Sequence, residues 1–122
     1  MTDKSATILY VDDEPLNLML FKANFKNKFN VHTAESGYKG LELLKEIPDT
    51  NIVISDMKMP GINGLEFIRL AKKEFPRISF YILTGFDITD EISQAIEDGL
   101  IHKYFRKPFN IKEIESAIFE VL

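Results

Sequence analysis

Five short runs of apolar, β-branched and aromatic residues punctuate the chain: TILYV (7–11), NVHTA (30–34), NIVIS (51–55), SFYIL (79–83) and KYF (103–105). Runs of this length and composition read as short buried strands. Between them, apolar residues return at three- and four-residue intervals, the period that lines one face of a helix. The first such stretch runs from Leu16 to Lys26, and the second carries Tyr38, Leu41, Leu44 and Ile47. Leu65, Ile68, Ala71 and Phe75 make the third, Ile88, Ile92, Ala95 and Ile96 the fourth, and Ile111, Ile114, Ala117, Ile118 and Val121 the fifth. Cap and first-turn residues open these stretches at Pro15, Ser36, Asn63, Asp87 and Asn110, while Gly99 marks an end and Pro48 and Pro76 stand just beyond two others.

Strand and helix alternating five times, with strands that are apolar throughout, predict an α/β fold whose parallel sheet is covered on both faces by helices. Right-handed crossovers restrict the winding, and five βα units of this size most often wind both ways from the first strand, in the order 2-1-3-4-5. Polar groups that act on a ligand then gather at the carboxyl ends of the strands, near the switch point between strands one and three.

Composition agrees with one domain and narrows its partners. A chain of 122 residues, 45% hydrophobic and 28% charged, can bury a single core. It reads as one domain over 1–122, with residues 1–6 a short leader and no output domain. A net charge of -4 gives no electrostatic footprint for nucleic acid or an anionic membrane surface. There is no cysteine for a disulfide or thiolate metal site, MTDKSAT lacks the apolar region of a secretory signal, and the apolar runs are too short to span a bilayer. A cytoplasmic protein is the expectation.

The strand ends carry the chemistry. Asp12 and Asp13 follow strand one, Asp56 follows strand three, Thr84 follows strand four, and Lys107 stands two residues beyond Phe105 in strand five. Taken singly, each has a plain structural reading. Asp12 or Asp13 can cap the helix that begins at Pro15, Asp56 can start a turn in DMKMPGING, Thr84 alone says little, and Lys107 can be a solvated side chain. Together they place acids, a hydroxyl and an ammonium on one edge of one sheet. Two like charges ~4 Å apart repel by about 4 kcal/mol at an effective dielectric near 20, so three crowded carboxylates call for a cation. A hard ion such as Mg2+ suits Asp13 and Asp56, with Asp12 behind a water, and a carboxylate can then act as nucleophile toward phosphorus. Lys107 and Thr84 are suitable types for neutralising the oxygens of a transferring phosphoryl group.

The motifs VDDE (11–14), SDMKMPGINGLE (55–66), LTG (83–85) and YFRKPF (104–109), in this order and spacing, resemble the receiver domain of two-component response regulators across essentially the whole chain. The resemblance implies a flavodoxin-like doubly wound (βα)5 sandwich. It also implies Asp56 as phosphoacceptor, Asp12 and Asp13 as the acidic pair for Mg2+, with Mn2+ able to substitute, and the backbone carbonyl of Lys58 as a further metal ligand. Thr84 matches the switch hydroxyl, Lys107 the phosphate-pairing lysine joined to Pro108 by a cis bond, and Tyr104 the aromatic that reports the state of the helix 4, strand 5, helix 5 surface. By the same resemblance the phosphodonor is a phosphohistidine on a sensor histidine kinase or phosphotransfer protein, with an effector or output domain downstream. His32 and His102 read as structural or surface residues.

Gly85 stands where many receivers carry alanine, with Phe86 after it, and Lys58 puts a long cation two residues past the acceptor. Two other readings of the same sheet stay open: an aspartyl-phosphate phosphatase-type enzyme, and a flavodoxin-like interaction module that is never phosphorylated. The first usually has a second acid where this chain has Lys58. A phosphorylated cofactor held at the same switch point would need a glycine-rich cradle after strand one, where the chain has DDEP. The expected protein is not an enzyme acting on an external substrate.

Overall fold

The computed structural model describes residues 6–85 and 88–122. Five strands, β1 (Thr7–Val11), β2 (Asn30–Ala34), β3 (Ile52–Asp56), β4 (Ser79–Thr84) and β5 (Lys103–Arg106), alternate with five helices. The helices are α1 (Pro15–Phe25), α2 (Gly37–Glu46), α3 (Gly64–Glu74), α4 (Asp90–Glu97) and α5 (Ile111–Val121). All strand pairs are parallel and the order is β2-β1-β3-β4-β5, the doubly wound flavodoxin-like arrangement expected from the alternation. The third strand begins and ends one residue later than the apolar run suggests, so Asp56 is the last residue of β3 rather than the first beyond it.

Alternation along the strands sorts the core into two layers. Ile8, Tyr10, Ile52, Ile54, Tyr81, Leu83 and Phe105 point to one face and pack with α1 and α5. Leu9, Val11, Val53, Phe80 and Ile82 point to the other and meet α3 and α4. Carried past the strand ends, the same parity puts Asp12, Asp56 and Lys107 on the α1/α5 side and Thr84 on the opposite side. This two-residue period fixes which side chains can touch.

Capping follows local chemistry. Ser36, Asn63 and Asn110 each accept a backbone N–H three residues on, and Glu66 returns the bond to Asn63 in a complete capping box. Asp87 lies outside the described residues; the cap of α4 is Thr89, whose hydroxyl accepts from Ile92 N–H at 3.2 Å. Ile88 precedes that helix and is exposed, so the helix starts two residues later than its apolar period suggests. Tyr38 and Ile111 belong to periodic positions but are also exposed. In α2 the buried contacts come from Gly37, Gly40 and Leu44 instead, because Ile62 and the Phe67 ring occupy the space a side chain at the two glycines would need.

Candidate functional site

The carboxyl edge of the sheet brings together the acids that the sequence places at the strand ends. Oxygens of Asp12, Asp13 and Asp56 lie within 4.8 Å of one another, and among the described residues these three make up the cluster with metal-ligand spacing. Lys107 reaches in from the β5–α5 loop. Its Nζ lies 3.2 Å from Asp12 Oδ2 and 3.1 Å from Asp56 Oδ1, bridging two of the carboxylates. The Lys107–Pro108 peptide is cis, and the Lys107 N–H donates to the Thr84 carbonyl at 2.8 Å, which ties the loop to the end of β4.

Asp12 is fully buried and heavily bonded. Its Oδ2 accepts from the Tyr10 hydroxyl at 2.6 Å and from Asn17 Nδ2 at 3.2 Å, and Oδ1 accepts from the Glu14 N–H at 3.0 Å. The capping reading of this residue is thus half right: α1 has no side-chain cap at Glu14, but Asp12 does bond the backbone that enters the helix. Asp13 is half-buried at the mouth, and Asp56 is 7% exposed. Tyr10 and Asn17 join the site without belonging to the motifs that mark it. The signal was available for Tyr10, since a residue two before Asp12 on a strand shares its face.

Electrostatics reflect the crowding. Burial first, then the Asp12 charge, raise the Asp56 carboxyl above the ordinary aspartate range, against the opposing pull of Lys107 and the Met57 N–H. Burial alone would lower the Lys107 ammonium, but Asp56 and Asp12 outweigh it and hold the group above the usual lysine value. Burial and the bond to Asp12 push the Tyr10 phenol far up, so it remains a donor at any physiological pH. One lysine against three acids leaves net negative charge in a partly dry site, and the donor set is entirely hard oxygen. Those features fit a small divalent cation such as Mg2+.

Thr84 is buried at the end of β4, one strand away from Asp56. Tyr104 pairs with Ile82 across β4 and β5, so it shares the sheet face of Thr84, and it packs half-buried against the α3/α4 core layer. A small cavity of about 230 Å³ opens beside Thr84, lined also by Met57, Lys58, Asn63, Thr89 and Ile92. Lys58 itself is exposed in the loop after β3. Gly85 has room: a methyl group there would meet Lys107 Cβ and Cδ at 3.9 Å, ordinary contact. His32 is half-buried in β2, and His102 is exposed with its ring 5.7 Å from Tyr81. Neither joins the acidic cluster.

Residues 8–119 match the family described as response regulator receiver domain. Sporulation initiation phosphotransferase F of Bacillus subtilis is 33% identical over 117 residues, covering 94% of this chain and 92% of that protein. Sensor kinase CckA of Brucella abortus is 30% identical over 120 residues, but these are 97% of this chain and only 13% of that protein. The hydrogenase transcriptional regulatory protein HoxA of Cupriavidus necator is 29% identical, and the chain spans 22% of its length. Among solved structures, a response regulator receiver domain protein from Clostridium thermocellum superposes with a TM-score of 0.88 at 34% identity, covering 95% of this chain and 93% of that one. Matching sequence, matching fold and an acidic rim at the expected strand ends agree, and the chain belongs to the receiver-domain family of two-component response regulators.

Proposed function

We propose that the chain works as a single receiver module in which Asp56 accepts a phosphoryl group from the phosphohistidine of a sensor histidine kinase or phosphotransfer protein, with Mg2+ as cofactor. The observation that carries this reading is the Lys107 bridge between Asp12 and Asp56, with Asp13 completing the acidic cluster. An oxygen of Asp56 attacks phosphorus, the bond from phosphorus to the donor imidazole nitrogen breaks, and the imidazole leaves. Asp12, Asp13 and Asp56, with the Lys58 carbonyl, would hold the metal, which supplies charge neutralisation of phosphoryl oxygens when bound. Lys107 already contacts the attacking carboxylate, so a short swing of its ammonium brings it to a phosphoryl oxygen. Thr84 adds a hydroxyl donor from the neighbouring strand.

The new acceptor oxygens draw Thr84 toward them, and Tyr104, on the same sheet face, repacks into the space vacated. That exchange biases two packings of the α4–β5–α5 surface, and a downstream effector or output domain binds the favoured one. The chain modifies itself rather than turning over an external substrate, binds no nucleic acid directly, and acts in the cytoplasm. Among the described residues no helix is long and apolar enough to cross a membrane.

Incubation with acetyl phosphate and Mg2+ tests the reading by intact mass. One added phosphoryl group is expected, absent when the metal is chelated; a wild-type mass that stays unmodified under these conditions contradicts it.

A further inference from the structure

Asp12 is the most deeply buried acid of the cluster, and several donors converge on it. Three donors converge on Oδ2: the Tyr10 hydroxyl at 2.6 Å, Asn17 Nδ2 at 3.2 Å and Lys107 Nζ at 3.2 Å. A carboxylate oxygen offers about two lone-pair directions, so Oδ2 is saturated. Oδ1 accepts only the Glu14 N–H among the bonds described, which leaves it a second direction. The carboxylate plane is therefore fixed, with Oδ1 as the oxygen available to a cation or to its bound water.

Tyr10 belongs to the core. It is 1% exposed, and its ring stacks on Phe21 with centroids 4.3 Å apart and planes 12° from parallel. Phenylalanine would fill the same volume and keep the stack. The hydroxyl is all that tyrosine adds, and it is spent on Asp12. Lys107, by contrast, is shared with Asp56, and in the proposed reaction it is the group that turns to the phosphoryl oxygens. Once it turns to the phosphoryl oxygens, Oδ2 keeps only Tyr10 and Asn17.

We propose that Tyr10 and Asn17 are positioning residues of the metal site, holding the Asp12 carboxylate in its orientation both before Lys107 leaves and after. The inference rests on the reading of the cluster as a divalent-cation site. Hydrogen-bond partners of ligating carboxylates are worth about 10- to 100-fold in metal affinity, which sets the size of the effect. A merely structural hydroxyl would alter stability and leave metal affinity alone.

Calorimetric titration of Mg2+, and separately of Mn2+, into wild type, Tyr10→Phe, Asn17→Ala and Tyr81→Phe separates the two, with each thermal midpoint measured in chelator. Tyr81 is the control, because it is buried on the same sheet face and its hydroxyl faces the Ala117 carbonyl at 3.5 Å, away from the acids. Tyr10→Phe and Asn17→Ala are expected to bind both ions at least about tenfold more weakly, and Tyr81→Phe to bind as wild type does. Asn17 is half-buried on a helix that accepts alanine readily, so it decides the matter even if Tyr10→Phe fails to fold. Wild-type affinity in Asn17→Ala, or in a folded Tyr10→Phe, overturns the inference while leaving the metal site standing. Absence of binding to wild type overturns both together.

Discussion

Asp56→Asn is expected to abolish phosphorylation completely and, in the metal-free protein at neutral pH, to make the fold more stable. In the proposed reaction the loss of function follows from removing the nucleophilic oxygen while keeping the shape. The gain in stability follows from the site's unbalanced charge. Burial and the Asp12 carboxylate raise the Asp56 pKa in the fold, so the native state holds that proton more tightly than the unfolded chain does. The stability so contributed is fully present below the ordinary aspartate value of 3.8 and is lost as pH rises through the higher native value. At pH 7 the ionised group is therefore a standing cost to the fold. Thermal melts in chelator should show Asp56→Asn above wild type at pH 7, with the gap closing toward pH 4. A variant that melts below wild type at pH 7, or a gap that widens on acidification, contradicts the electrostatic account. Added Mg2+ should raise the wild-type midpoint, since it binds the native state selectively.

Gly64→Ala is expected to be the most disruptive small substitution in the loop behind the acceptor. Gly64 opens α3, and its N–H donates to the Met57 carbonyl at 2.8 Å, closing the turn that follows Asp56. A Cβ here would stand 2.3 Å from the Asp56 carbonyl oxygen and 2.8 Å from Ile82 Cδ1. The first of these is backbone at the end of β3, held by its ladder, and α3 is held in place by the Asn63–Glu66 capping box. Neither side can yield without moving the acceptor itself. A destabilisation of about 3 kcal/mol is expected, at the upper end for overpacking, together with slower phosphorylation of the molecules that still fold. Gly85→Ala, whose Cβ meets nothing closer than 3.9 Å among the described residues, should stay within about 0.5 kcal/mol of wild type. Equal denaturant midpoints for the two variants would show that the steric reading of Gly64 is wrong.

Much of the site was legible because strand parity is rigid. Asp12, Asp56 and Lys107 are spaced so that two-residue alternation and the 2-1-3-4-5 order bring them to one face, and they meet there. Helix boundaries and exposure were less legible. At Tyr38 the three-to-four-residue period points inward, yet the close approach of α2 to α3 through Gly40 and Phe67 leaves that ring outside. At the start of α4 the residue read as the cap, Asp87, lies outside the described residues, and the hydroxyl that caps the helix belongs to Thr89, which the apolar period does not mark. The Tyr10 hydroxyl was hidden for a different reason. In an apolar strand an aromatic reads as core volume, and its polar end becomes visible only when the acceptor two residues on is known to be buried beside it.

The account stands on Asp56 being the oxygen nucleophile of the cluster. Borohydride reduction of the protein immediately after treatment with acetyl phosphate and Mg2+ converts an aspartyl phosphate to homoserine, and peptide mass spectrometry then locates it. Homoserine at position 56 and at no other carboxylate is the predicted result; homoserine at position 12 or 13 instead, or a phosphoryl group that resides on His32 or His102, would contradict it.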